Sequence, residues 1–416
     1  ETIPNEITWN ARNPEKTVSF GNGKAVFGPF TGAPFIQDLD GVRRSGSIKD
    51  LNDMHRLAHM SQGLQHVSHV LCEPMDIPAS HRHLHITYSS LKNSDKAIMG
   101  MSTGAERSDD VLAMLDIVFG KEFVDNNPVV VANCNGNSPL VWDDTMLGAV
   151  RSYASRGQVC LMSPFILGGA NTPADVLASV AQLNAEALAG LAYTQVVKKG
   201  APAIYGHYTA TVSMKSGAPM AGTPEISLIN YAVGQMARFY GVPWRTTGSQ
   251  SGSKVFDAQM GYEAATAMHM AVNANCNFVW HAVGWTEAGM VCSMPKMVAD
   301  AEQVLMVQKM GAGVKWDKYD DAVESVYNVG PGGHYLGEEF TQNNFQDAFI
   351  MPDIPDNNSI EQWELEGSKD MFQRSCEKGK QILKDFIEPA IDPAIDQALL
   401  DFIAKREKEI DPNTYE

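Results

Sequence analysis

A (β/α)8 barrel, an α/β fold of repeated strand–helix units, is the class this chain predicts. Three features lead to it. From about residue 66 onward, short apolar runs alternate with helical patterns. Eight such runs can be counted, and the segments between them are long enough for crossover helices. Apolar runs separated by helices imply parallel strands buried on both faces, and eight units fit a barrel. A doubly wound open sheet is the alternative architecture.

The stretch before the repeats, residues 1–65, holds Gly28-Pro-Phe-Thr-Gly-Ala-Pro34 and a polar helix-like segment from Ser47. It is expected to be an N-terminal extension packed on the barrel. The chain begins at Glu1 rather than Met, which reads as a trimmed or processed form. The barrel is expected over residues 66–358, with strands at 68–71, 97–101, 129–133, 159–163, 203–208, 244–248, 278–283 and 323–329. Two helix starts are well marked. Thr172-Pro173-Ala-Asp175 offers an N-cap, a proline at the first helical position and an acid in the first turn. The apolar face then recurs at Val176, Val180, Leu183, Ala187 and Leu191, and the helix is expected to end near Lys198-Lys199-Gly200. Thr223-Pro224-Glu225 starts the next helix in the same manner and Gly241 ends it. Such N-termini, at the mouth of a barrel, can hold a carboxylate. Residues 359–416 read as C-terminal helices with Trp363, Met371, Ile382, Leu383 and Phe386 facing inward.

The totals exclude several classes. The 416 residues carry 32 basic and 49 acidic side chains, a net charge of −17, which argues against nucleic-acid or anionic-membrane partners. No run of about 18 apolar residues marks a membrane span, and no signal peptide is visible. The six cysteines lie far apart without a Cys-x-x-Cys pair, as expected of thiols in a reducing cytoplasm. No dinucleotide fingerprint and no phosphate loop is present.

Aromatics and histidines gather at the expected strand ends: Phe165, Tyr205, His207, Tyr208, Trp280, His281, Trp285, His334 and Tyr335. Barrel sites are built there. Trp and Tyr faces suit a quaternary ammonium, which cannot hydrogen-bond. A metal is not expected. His81, His83 and His85 alternate on a helical segment, where i and i+2 point apart. Lys254, in the Ser/Gly-rich loop after the sixth expected strand, raises a Schiff-base aldolase as an alternative. A non-catalytic betaine-binding protein is a second alternative. His334 stands out in Asn328-Val-Gly-Pro-Gly-Gly-His334-Tyr-Leu-Gly337, a glycine-rich loop expected just beyond the eighth strand.

The ordered set Asn184-Ala-Glu186-Ala-Leu-Ala-Gly190, Ala203-Ile-Tyr-Gly206, Gly222-Thr-Pro-Glu225, Ser253-Lys254-x-x-Asp257-x-Gln259-x-Gly261-Tyr-Glu263 and Gly332-Gly-His334-Tyr-Leu-Gly337 resembles the trimethylamine methyltransferase family. The resemblance spans roughly residues 60–390. It implies a barrel that removes a methyl group from a methylated amine and passes it to Co(I) of a corrinoid on a separate small protein. Family members without pyrrolysine, a residue absent here, are thought to act on quaternary amines such as glycine betaine. Where the family often continues with a His-Thr pair, this chain has Phe340-Thr341. On this resemblance Trp280, Trp285 and Tyr205 are expected to hold the trimethylammonium head, with His207 beside them. His334 is expected to act with Tyr335 and Phe340 at the other end of the substrate. Glu225 and Asp257 are expected to orient loops rather than move protons. Homo-oligomerisation is left open.

Overall fold

The computed structural model describes residues 2–411; Glu1 and residues 412–416, the last part of the expected C-terminal helical segment, lie outside the described residues. Parallel sheet forms the centre. Strands Ile98–Gly100, Val130–Gly136, Val159–Gly168 and Ala203–Tyr205 pair side by side in chain order. Strand Arg245–Thr247 pairs with Phe278–Trp280, and Phe278–Trp280 pairs with Val26–Phe27, all parallel. A parallel bridge between Tyr205 and Trp244 joins the two groups. On their other side, Gln65 N donates to Phe27 O at 3.0 Å, His66 bridges to Ala97, and Met99 N donates to Ser68 O at 3.1 Å.

Two corrections to the expected strands follow. Residues 323–329 are not a strand but the end of the helix Tyr319–Val329. Val323, Val326 and Val329 recur every third residue, a helical spacing, and Asp320 and Asp321 in the first turn favour the positive helix end. The place beside Phe278–Trp280 is taken instead by Val26–Phe27, from the stretch read as N-terminal extension. Gly28 follows directly. A Cβ there would lie 1.9 Å from His66 Nε2, so only glycine lets this strand pass. The expected strand at 68–71 is also displaced: the paired residues are Gln65 to Ser68.

The central parts of the parallel strands are buried on both faces. Met99, Val131, Val159, Leu161, Ile204, Phe278 and Trp280 form one apolar cluster on the inner face. Ala132, Cys134, Cys160, Met162, Ala203 and Tyr205 belong to the other, shared with the helices. Adjacent residues alternate between the two clusters, as the pleat demands. An antiparallel hairpin, Glu6–Trp9 with Val18–Gly21, lays Trp9 and Phe20 against Phe278 at ring-centre distances of 5.9 and 5.5 Å. It closes one end of the inner cluster. Emptying the Trp9 position by Trp9→Ala would cost on the order of 3–5 kcal/mol.

Helix starts match their sequence signals to within a turn. Pro224–Tyr240 has Thr223 as N-cap, Pro224 in its first turn and Gly241 as a left-handed C-cap at φ 69°. Val176–Val197 starts one turn later than expected, with Asp175 rather than Thr172 as N-cap, accepting from Ala178 N at 2.8 Å. The C-terminal helix Met371–Asp385 packs on Met294–Gly311 and Ile48–Met60 through Met371, Ile382 and Leu383. Helices Tyr319–Val329 and Glu339–Ala348 pack on each other as a hairpin with Trp316, Tyr327, Leu336 and Phe349 exposed. Among the described residues, no helix is long and apolar enough to cross a membrane.

Candidate active site

The C-terminal ends of the parallel strands carry a connected group of rings. Phe165, near the end of Val159–Gly168, stacks on Tyr208 at 4.7 Å and 6°. Tyr208 stacks on Trp285 at 5.6 Å and 18°. Trp285 meets Phe30 edge-on at 4.7 Å and His281 at 4.8 Å. His281 meets Trp280 at 4.6 Å. Phe165 is 40% exposed and the others are buried, so the chain of rings runs from water into the protein.

Local structure explains why these side chains converge. Phe165 and Tyr208 are register partners on neighbouring parallel strands, which places their side chains side by side. Trp285 sits on a short strand, Trp285–Thr286, paired to Val291–Ser293, which in turn pairs with Phe35–Gln37. Phe30 is delivered by the chain between Val26–Phe27 and that outer sheet; its N–H donates to Val283 O at 3.1 Å. His281 holds a left-handed backbone at φ 56°, an unfavourable conformation for a non-glycine residue that recurs at functional sites. Burial, together with nearby Arg245, drives its imidazole far toward the neutral form.

Beneath the rings lies Arg245, 1% exposed, on the inner face of Arg245–Thr247. Its guanidinium carbon stands 5.1 Å from the Trp280 ring centre. One terminal nitrogen donates to His207 O, the other lies 3.5 Å from both His281 ring nitrogens, and Nε has no partner. Burial pulls its pKa down to about 9, which still leaves it charged near neutrality.

Two buried carboxylates brace the loops around this group. Glu186 accepts from Ser138 Oγ at 2.5 Å and Leu140 N at 2.9 Å, fixing the loop after Val130–Gly136. Glu263 accepts from Ser251 Oγ and Gly252 N, both at 2.8 Å, and from Gln259 Nε2 at 3.0 Å, fixing the loop after Arg245–Thr247. Lys296 and Asp300 form a buried pair at 2.5 Å; Lys296 also donates to Ser249 Oγ, and Asp300 accepts from Gly284 N at 2.9 Å.

The sequence-predicted residues divide. Trp280 and Trp285 lie within the group of rings. Trp280 is further held by its N–H donating to Ser68 Oγ at 3.0 Å. Tyr205 belongs to the helix-facing side, where its hydroxyl donates to Asn184 Oδ1 at 2.8 Å and its ring meets Tyr240. His207 also turns away: its ring stacks on Trp244 and Nδ1 is bonded to Thr209 Oγ1, while only its carbonyl reaches Arg245. Asp257 is the N-cap of helix Ala258–Asn273, accepting from Met260 N at 3.0 Å and Ser253 Oγ at 2.9 Å. Glu225 is exposed in the first turn of its helix, beside Asp175 and Thr211. His334 and Tyr335 are exposed and Phe340 is half-buried on the 319–348 hairpin. Among the described residues, no ring contact joins them to the Trp285 group. That hairpin follows the end of helix Met294–Gly311, where a Cβ on Gly311 would meet Val272.

Lys254, the candidate Schiff-base residue, is exposed and donates to Gly252 O at 2.7 Å. His83 and His85 bind different carboxylates, Asp110 at 2.9 Å and Glu407 at 2.7 Å. Sequence reasoning missed Arg245, Phe30 and the bracing role of Glu186 and Glu263. No sequence signal marked Arg245: its strand reads Arg-Thr-Thr, and an arginine opening such a run looks like a surface residue.

The family model described as Trimethylamine methyltransferase matches residues 1–411. The chain is 38% identical over 411 residues to a glycine betaine methyltransferase of Desulfitobacterium hafniense (strain Y51), covering 99% of this chain and 86% of that protein. It is 26% identical over 411 residues to trimethylamine methyltransferase MttB2 of Methanosarcina mazei, covering 97% and 83%. The crystal structure of the Methanosarcina barkeri monomethylamine methyltransferase superposes with a TM-score of 0.52 at 11% identity, covering 93% of this chain and 79% of that one, a likeness of fold alone. The rings, the braced loops and the ordered motifs thus sit in a chain that belongs to the trimethylamine methyltransferase family and is a methyltransferase.

Proposed function

We propose that this enzyme takes a methyl group from a quaternary methylated amine of the glycine betaine type and transfers it to the corrinoid of a small partner protein. The observation that carries the reading is the ring group Phe165–Tyr208–Trp285–Phe30, which opens to water only at Phe165. Ring faces attract a trimethylammonium at roughly 0.5–2 kcal/mol each. No base is needed, because a quaternary nitrogen leaves as a neutral amine. The distribution of side chains agrees with this chemistry. The carboxylates Glu186, Glu263 and Asp257 brace loops, while the inner lining is aromatic apart from His281 and Arg245.

A reduced corrinoid would supply the nucleophile. The residues of this chain bind the cation, fix its orientation and keep water from it. The half-exposed Phe165 offers a flat apolar face at the rim, suited to a flat macrocycle. The closed (β/α)8 barrel belongs to this reading too. Its support is the run of parallel pairings and bridges from 65–68 through the intervening strands to Phe278–Trp280, which pairs with Val26–Phe27, together with the Gln65 N to Phe27 O bond that brings Val26–Phe27 back beside 65–68. The corresponding division of the chain is an N-terminal part that contributes one strand, the strand–helix body and the C-terminal helices.

His334, Tyr335 and Phe340 enter this reading as surface groups of the 319–348 hairpin, whose exposed Trp316, Tyr327 and Leu336 favour self-association or partner contact. Six free, buried thiols favour a reducing cytoplasm as the location. The test mixes the enzyme with cob(I)alamin and glycine betaine, following corrinoid absorbance and release of dimethylglycine. Absence of both products with every quaternary amine in a panel overturns the reading.

A further inference from the structure

Among the described residues the fully buried lysines and arginines are Lys296 and Arg245, with Lys96 and Arg406 half-buried; of these four, Arg245 alone lacks both a carboxylate and a full set of acceptors. Lys296 has Asp300 at 2.5 Å. Lys96 donates to three backbone carbonyls, of Ala58, Ser61 and Leu64, at the end of helix Ile48–Met60. Arg406 has Asp110 at 2.6 Å. Arg245 has a single backbone carbonyl and two long approaches to a neutral imidazole, and its Nε is bare. Among the described residues, no carboxylate pairs with it; the acidic groups acting on it are the Cys276 thiol and the Tyr208 phenol. Removing a guanidinium from water without a counter-charge is strongly unfavourable. A fold retains such a cost where a ligand offsets it.

The position indicates which ligand. Arg245 lies at the inner end of the ring chain, past Trp285, His281 and Trp280. A methyl group leaving toward a partner protein must face the outer end, where Phe165 meets water. The opposite end of the donor therefore points inward, toward the guanidinium. A planar carboxylate matches the planar fork of arginine in two parallel hydrogen bonds, and Nε is one of the donors free to make them. Resting on the methyl-transfer reading above, we propose that Arg245 receives the carboxylate of the methyl donor, so that the substrate class is carboxylate-bearing quaternary amines, taken acid end first.

The test compares wild type, Arg245→Gln and Arg245→Lys by calorimetric binding of glycine betaine and of choline, with folding checked by circular dichroism and thermal melting. Choline keeps the trimethylammonium and replaces the carboxylate by a hydroxyl. Wild type is expected to prefer glycine betaine at least tenfold. Arg245→Gln should weaken glycine betaine on the order of 100-fold while shifting choline less than threefold. Arg245→Lys should fall between. The melting temperature of free Arg245→Gln should equal or exceed that of wild type, because an uncompensated buried charge is gone. A purely structural arginine would lower it and leave the ligand preference intact. Equal weakening of both ligands, an unchanged Kd in folded Arg245→Gln, or a wild type that does not distinguish the two ligands overturns the proposal. If Arg245→Gln does not fold, an unchanged Kd in Arg245→Lys overturns it. Failure of the methyl-transfer reading looks different: glycine betaine binds, but no dimethylglycine forms with cob(I)alamin.

Discussion

Arg245 places its guanidinium carbon 5.1 Å from the centre of the Trp280 ring, and Trp280 is itself fixed by an N–H bond to Ser68 Oγ at 3.0 Å. A cation held against a ring that cannot move leaves its remaining donors aimed in one direction. The ring group above Trp280 gives the same region its affinity for the other end of a zwitterion.

Trp285 touches Phe30, Tyr208 and His281 and so stands at the centre of that group. Trp285→Leu stays apolar but removes, along with part of the side-chain volume, the π face. Its loss should cost about 1–2 kcal/mol in binding, or roughly a five- to thirtyfold rise in KM for glycine betaine. Steady-state kinetics with cob(I)alamin measures this; an unchanged KM would remove Trp285 from the site.

Glu263 holds the 249–253 loop through Ser251 Oγ and Gly252 N. The same loop accepts Ala288 N at Ser251 O and Glu287 N at Ser253 O, which ties it to the turn after Trp285. Glu263→Gln retains shape but replaces one accepting oxygen by a donor and weakens the set of three bonds from Ser251, Gly252 and Gln259. A stability loss of about 2 kcal/mol is expected in urea titration. Hydrogen exchange should rise in both the 249–257 and the 284–290 segments.

Six buried histidines, His55, His66, His69, His83, His207 and His281, are all pushed toward the neutral form by burial and make the fold acid-sensitive. Burial holds His55 near pKa 4 and His66, His69 and His207 near 3. In the unfolded chain each returns to about 6.5. Between those values the unfolded state binds more protons, so stability rises with pH there. The contribution is complete above pH 6.5 and drains away as pH falls toward 4. Melting temperatures at pH 7.5, 6.5, 5.5 and 4.5 should be level across the first step and fall steeply over the last two. A flat profile would show that these imidazoles are not held neutral.

His334 is exposed on the 319–348 hairpin. His334→Ala should leave KM and kcat for glycine betaine within twofold of wild type when free cob(I)alamin is the acceptor. A tenfold loss in that assay would return His334 to the substrate site.

The parallel strand–helix alternation was legible in the chain, because apolar runs and helical periods are local patterns. So were the Thr223-Pro224 helix start and the presence of Trp280 and Trp285 at strand ends. The family was legible in the order of its motifs. Other features depended on packing between distant segments. Val26–Phe27 is two residues long, too short for any period to mark it, and it is a strand because Phe278–Trp280 needs a partner. Residues 323–329 carry valines acceptable to either element, and no sheet edge was there to recruit them. Tyr205 and His207 sit at a strand end as expected, but the pleat turned their side chains toward the helices. Arg245 opens the short polar run Arg-Thr-Thr, whose letters mark no inward face. Its meaning depends on which carboxylates surround it, and that is a property of packing across the whole chain rather than of neighbours in sequence.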